Sequence, residues 1–180
     1  MDEFARKGYH RTAVADIAEA AGVTKPVLYQ HFPSKEQLFL EVLRDIAGKL
    51  EEAILDATSR AVGPRQQVEQ GFRAFFRFVA ERPSRFGILF SEATREIEAF
   101  RREVEGIEAA LSEAIARLIV VEGIDDERRR LLAYGIVGMA EVTCRRWIAG
   151  EFAPSDAEGL AAQLADLAWR GLRGLGNPHR

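Results

Sequence analysis

A glycine and a Phe-Pro pair eleven residues apart constrain this chain more than any other feature. Gly22 closes one amphipathic segment and Phe32-Pro33 closes the next, which leaves room between them for a helix of only about two turns. Before Gly22, Val14, Ile17, Ala18 and Ala21 recur at helical spacing, so one face of that segment can be buried. Thr12 is expected to cap it, its hydroxyl accepting an amide proton of the first turn, and Gly22 to end it in the left-handed conformation. Thr24 is expected to cap the short helix, whose first turn holds Pro26 where no hydrogen bond is lost. Lys25, Pro26, Val27, Tyr29, Gln30 and His31 are expected to face outward, with Val23 and Leu28 packed inward. An amine, an amide, a phenol and an imidazole on so short a helix suit insertion in a DNA major groove. Ser34-Lys35-Glu36-Gln37 then reads as a capping box, whose amides together with Lys35 suit a backbone phosphate.

Taken singly, these residues have plainer readings. Tyr29 and His31 could be the rim of a small packing unit, and Lys35 an ordinary solvated lysine. Their joint placement between two capped helices is what points to DNA. Across Phe4 to Phe39, Gly8-Tyr9, Thr12, Ile17-Ala18, Ala21-Gly22-Val23, Leu28-Tyr29, His31-Phe32 and Lys35 fall at a known spacing. In this stretch the chain resembles the tetracycline-repressor (TetR) family of one-component bacterial regulators. The resemblance implies an all-α homodimer with N-terminal DNA readers and a C-terminal ligand-binding and dimerisation core. It places the helix-turn-helix domain in residues 1–45 and the second domain in 46–180. Only Met1 to Lys7 precede Gly8, so the first helix is expected to be shortened at its N-terminus relative to the family. The expected DNA-contacting set is Thr12, Thr24, Lys25, Pro26, Val27, Tyr29, Gln30, His31 and Lys35, and the expected DNA partner is a palindromic operator.

Beyond that head, Leu38, Phe39, Val42, Leu43, Ile46, Leu50, Ile54 and Leu55 predict one long helix over Lys35–Ser59, with Gly48 a weak point near its middle. Gly63-Pro64 and Arg82-Pro83 bound a helix lined by Val68, Phe72, Phe75, Phe76 and Val79, and a shorter helix follows from Ser84. Ile97, Phe100, Val104, Ile107, Leu111, Ile115 and Leu118 predict a regular helix ending at Gly123. Asp125-Asp126 opens another, to about Gly150, and Pro154-Ser155-Asp156 punctuates before the last, which finishes near Gly174. No alternating run predicts a strand, and about nine helices are expected.

Leu131, Leu132, Ile136, Val137, Val142 and Trp147 cannot share one helical stripe, so that helix is either central or covered by a partner. A homodimer is expected through the helices near Asp125–Gly150 and Ser155–Gly174, with Gly135, Gly138, Val142, Ala161, Leu164, Ala165 and Ala168 permitting close approach. By resemblance, a small and largely apolar effector sits among Phe72, Phe76, Phe90, Phe100, Tyr134, Glu141 and Cys144. Glu141 has an equal claim to pair with Arg145 four residues on.

Charge and composition limit the alternatives. The net charge is −3, and residues 1–50 hold seven Lys/Arg against seven Asp/Glu, so DNA binding would rest on where charges sit rather than on bulk attraction. The lone cysteine, Cys144, forms no intrachain disulfide and fits a reducing cytoplasm. The longest apolar run, Leu131 to Ala140, falls well short of the roughly 18–20 residues that span a bilayer. No signal peptide is expected after the acidic start Met1-Asp2-Glu3. The three histidines are His10, His31 and His179, and no HExxH, CxxC, P-loop or GxGxxG occurs, so neither catalysis, a metal nor a cofactor is expected. An enzyme without a recognisable motif and a purely protein-binding helical module are the alternatives. The second leaves the capped two-turn helix and its Lys35 neighbour without a purpose.

Overall fold

Local start and stop signals decide most of the element boundaries. A computed structural model describes residues 2–121, 123–151 and 156–175, and among these the chain is all-α, with ten helices and no strand. They are α1 (Asp2–Arg11), α2 (Val14–Ala20), α3 (Lys25–His31), α4 (Lys35–Ser59), α5 (Pro64–Glu81), α6 (Pro83–Phe90), α7 (Glu92–Arg95), α8 (Glu98–Leu118), α9 (Asp126–Ile148) and α10 (Ala157–Leu175). The single-turn α7 takes the number past nine. Pro64 starts α5 where the signals predict, α6 starts at Pro83, one residue ahead of the expected Ser84, and the Asp125 carboxylate caps α9 by accepting from the Arg128 amide at 2.8 Å. Pro154, Ser155 and His179 lie outside the described residues.

Further expectations are corrected. Thr12 does not cap α2, whose N-cap is Ala13; it is buried, and its Oγ1 donates to the Gly8 carbonyl at 2.7 Å and the Glu3 carbonyl at 3.2 Å. The reason is a break in α1 at Gly8 (φ 72, ψ 168), which interrupts the helical ladder and leaves backbone acceptors to be satisfied. Val23 is not packed inward but 38 % exposed, because it is spent on closing a turn rather than on packing. Finally, α8 stops at Leu118, short of Gly123: Ile119 leaves the helix axis and is buried with Ala116, Ile124, Ala133 and Leu172. Gly123 (φ 81) serves the turn toward α9 instead.

The residues group into two compact units: 1–48 with 82–105, and 49–81 with 106–180. The first has an aromatic centre. The Phe39 ring lies 4.9 Å from Phe4, 5.1 Å from Tyr9 and 4.6 Å from Phe100, and Tyr9 lies 4.7 Å from Phe100. Here α1 also packs on α6, where Phe86 and Phe90 are 4.6 Å apart. In the second unit α10 packs along α5, and Arg73 and Arg77 both meet Glu158. Phe76, fully buried, has the rings of Phe75 and Trp147 beside it at 5.4 and 6.0 Å. Two helices, α4 and α8, contribute residues to both units.

Candidate nucleic-acid interface

The turn between α2 and α3 is a Schellman closure. Gly22 adopts φ 67, its amide donates to the Glu19 carbonyl, and the Val23 amide donates to the Ala18 carbonyl, both at 3.0 Å. These bonds consume the last acceptors of α2 and aim the chain into α3 within four residues. Thr24 stands at the N-cap of α3 with extended backbone (φ −84, ψ 154), and its carbonyl accepts the first helical bond from Leu28 at 3.1 Å. Its hydroxyl makes no capping bond, contrary to the expected role. Pro26 lies in the first turn, and α3 ends at Phe32, whose extended backbone precedes Pro33.

Of the seven residues of α3, Leu28 alone is buried. Lys25, Pro26, Val27, Tyr29, Gln30 and His31 are all exposed, as is Thr24. A seven-residue helix cannot persist by itself in water, so α3 is held by its end turns and by Leu28 while the rest of its surface is left for something else. Val27 and Tyr29 are 37 % and 39 % exposed despite their apolar bulk, and Lys25 Nζ lies 5.8 Å from the Tyr29 ring centre. That mixture of apolar, aromatic and hydrogen-bonding groups can contact base edges, thymine methyls and phosphates.

Next to α3, Ser34 Oγ accepts from the Gln37 amide at 3.1 Å and so caps α4. Lys35 is placed by tertiary structure. Its Nζ donates to the His10 carbonyl at 3.3 Å and lies 4.4 Å from the Tyr9 ring centre, and partial burial lowers its pKa. Burial chiefly, and the Glu36 carboxylate secondarily, raise that of Tyr9. These contacts of Lys35, reaching 25 residues back along the chain, have no signal in the local sequence. Thr12 is buried beneath this surface, where it holds α1 to itself across the Gly8 break. Elsewhere in the head, carboxylates engage Lys7 and Arg6, while Arg11 Nε donates to the Lys7 carbonyl at 3.1 Å. Lys7 Nζ meets Asp16 and Glu3, and Arg6 meets Glu3; hydrogen bonds from Lys7 foremost hold both carboxyls below their ordinary range.

The other predicted residues fall in several places. Phe72, Phe76, Glu141 and Cys144 are buried in the second unit, where Arg145 Nε lies 3.5 Å from Glu141. Burial pushes the Cys144 thiol up to about 12, so it stays protonated and a poor nucleophile. Phe90 and Phe100 belong to the first unit, and Tyr134 is half exposed. Along α9 the buried face is Ala133, Val137, Ala140, Glu141 and Cys144, while Leu131 (69 % exposed), Tyr134 and Val142 lie on the outer side with Gly135 and Gly138. Leu167 of α10 is 59 % exposed, whereas Ala161, Ala165 and Ala168 are buried within the single chain and Leu164 partly so. No described helix is long and apolar enough to cross a membrane, and no described group of three or more His, Cys, Asp or Glu is placed to hold a metal.

Comparison with known proteins places this arrangement. Residues 1–42 match the family described as bacterial regulatory proteins, tetR family, and residues 64–171 match the tetracyclin repressor-like C-terminal domain. The chain is 30 % identical over 170 residues to the HTH-type transcriptional activator FasR of Mycolicibacterium smegmatis, covering 94 % of this chain and 77 % of FasR. A TetR-like transcriptional regulator from Rhodococcus sp. RHA1 is 29 % identical, with a TM-score of 0.72 over 96 % of this chain and 91 % of that one. The regulator FadR of Bacillus subtilis, solved in complex with stearoyl-CoA, shares the fold at a TM-score of 0.77 and 18 % identity, covering 93 % and 92 % of the two chains. With a turn closed at Gly22, a short exposed α3 and both halves matched, this chain belongs to the TetR family of helix-turn-helix DNA-binding transcription regulators.

Proposed function

We propose that this regulator is a homodimeric repressor that binds a palindromic operator through α3 and is released by a long-chain acyl-CoA. The observation that carries the DNA half is the exposure of every residue of α3 but Leu28. In this reading Lys25, Val27 and Gln30 stand nearest the base edges, while Thr24, Tyr29, His31 and Lys35 meet phosphates. Two such heads in a dimer address half-sites roughly 34–36 Å apart. The partner surface is the outer side of α9, with Leu131, Tyr134, Gly135, Gly138 and Val142, joined by Leu167 of α10. Large apolar side chains this exposed are what a second copy would cover.

The effector class rests on chemistry and on a relative. Phe72 and Phe76 are apolar and buried in the second unit, and the buried Glu141 adds a polar group. The FadR structure holds stearoyl-CoA, an amphipathic ligand of the kind such surroundings favour. For release, the acyl-CoA must bind the DNA-incompetent head spacing more tightly than the competent one, since equal affinity shifts nothing. The test selects operator sequences from random duplexes, then titrates palmitoyl-CoA, free CoA and palmitate against the selected site. An inverted repeat, released by palmitoyl-CoA alone, is expected; no enriched sequence would sink the DNA reading, and release by none of the three would sink the effector class. FasR is named an activator, so the sign of the transcriptional change on adding palmitoyl-CoA separates repression from activation.

A further inference from the structure

Each of the two helices shared by both units carries a single glycine, and in each it sits at the division. In α4 it is Gly48, the last residue of the first unit before Lys49; in α8 it is Gly106, which follows directly on Glu105. Neither is demanded by backbone conformation, since neither is among the glycines with positive φ. Neither is demanded by packing, since an added Cβ would meet nothing within 4 Å at either site. Compared with alanine, a helical glycine favours local opening by roughly fivefold. Both positions accept this softness without any steric return.

One turn ahead of each glycine the two helices are joined. Arg44 Nε and Nη2 donate to Glu103 Oε1 and Oε2 at 2.9 and 2.8 Å, a bidentate pair, while Arg44 Nη1 reaches Glu41 at 2.6 Å. Arg44 precedes Gly48 by four residues and Glu103 precedes Gly106 by three. The neighbouring rings of Phe39 and Phe100, 4.6 Å apart, add an apolar contact between the same helices. Within the first unit, therefore, the start of α8 and the first half of α4 form one block. A soft point in only one helix would be restrained by the other. Matched soft points release both.

We propose that Gly48 and Gly106 form a paired hinge, at which the joined α4 and α8 segments flex together as one piece. Motion of the DNA-reading head is then carried by two helices, with α8 an equal partner of α4. The inference needs neither the effector nor the operator proposed above.

Hydrogen exchange on the full-length chain tests it without ligand or DNA. Amides 48–52 and 106–110, whose helical bonds cross the glycines, are expected to exchange faster than the turns on either side. Gly48→Ala should slow its own turn about fivefold and should also slow 106–110 at least twofold. Adding Arg44→Met, which removes the bidentate pair and keeps an aliphatic stem, should reduce the distant slowing and leave the local one, the Phe39–Phe100 contact still joining the two helices. Gly171→Ala in α10, where an added Cβ likewise meets nothing, is the control and should leave both turns unchanged. The hinge is refuted if Gly48→Ala slows only α4, if the distant slowing is undiminished by Arg44→Met, if Gly171→Ala reproduces it, or if the glycine turns exchange no faster than their neighbours.

Discussion

Leu28 and Tyr29 are adjacent on α3, and their replacement should give opposite phenotypes. Leu28 is 8 % exposed and is the one side chain tying the seven-residue helix to the head. Buried Leu→Ala changes cost about 2–5 kcal/mol, and a site at the edge of a small helix can collapse around the gap, so about 2–3 kcal/mol is expected. For a chain of this size that lowers the midpoint of the transition that includes α3 by about 4–12 °C. Operator affinity should fall with it, because the reading surface is populated only when α3 is formed. Tyr29→Ala removes an exposed ring and should leave stability within about 0.5 kcal/mol. If Tyr29 meets the DNA backbone as proposed, its loss should weaken binding all the same. Circular dichroism melts beside fluorescence-anisotropy titrations of the selected operator separate the two. A Leu28→Ala protein that melts like wild type, or a Tyr29→Ala protein that loses stability as Leu28→Ala does, would refute the division of α3 into one anchor and a working surface.

Other consequences can be checked independently. Lys35→Ala should weaken all DNA sequences alike and lower the slope of log affinity against log salt by about one, whereas Gln30→Ala should change preference at one operator position. Thr12→Val keeps shape but removes the donor to two backbone carbonyls, and should cost about 1–3 kcal/mol by denaturant titration with no change in base preference. Leu131→Glu, on the outer side of α9, should shift sedimentation from dimer to monomer and abolish operator binding. Glu3 and Asp16 have folded pKa values below their ordinary 4.5 and 3.8, so the stability they contribute is present above those values and lost as pH falls through the lower folded ones. Lys7→Met should shrink that acid-side loss in a pH series of melts.

The boundaries of the reading head were legible because they are settled within a turn of chain. Gly22 takes the left-handed φ, Pro26 needs no donor, and Phe32 ahead of Pro33 leaves the helical region, whatever else the protein contains. The same local accounting predicts α4 over Lys35–Ser59 and the acidic start of α9 at Asp125-Asp126, although not that the Asp125 carboxylate caps it. The exposed face of α3 was legible too, since seven residues with a single aliphatic anchor leave little choice. Tertiary structure decided the rest. The hydroxyl of Thr12 turned to carbonyls of α1 because Gly8 breaks that helix, and Lys35 found a carbonyl and a ring 25 and 26 residues back. Phe100 joined Tyr9 and Phe39 rather than the phenylalanines nearest it in sequence, and the small residues of α10 were buried in the chain itself. A hydrophobic stripe states that a helix face must be covered, but the covering helix is chosen by packing among distant segments, and that choice has no period along the sequence.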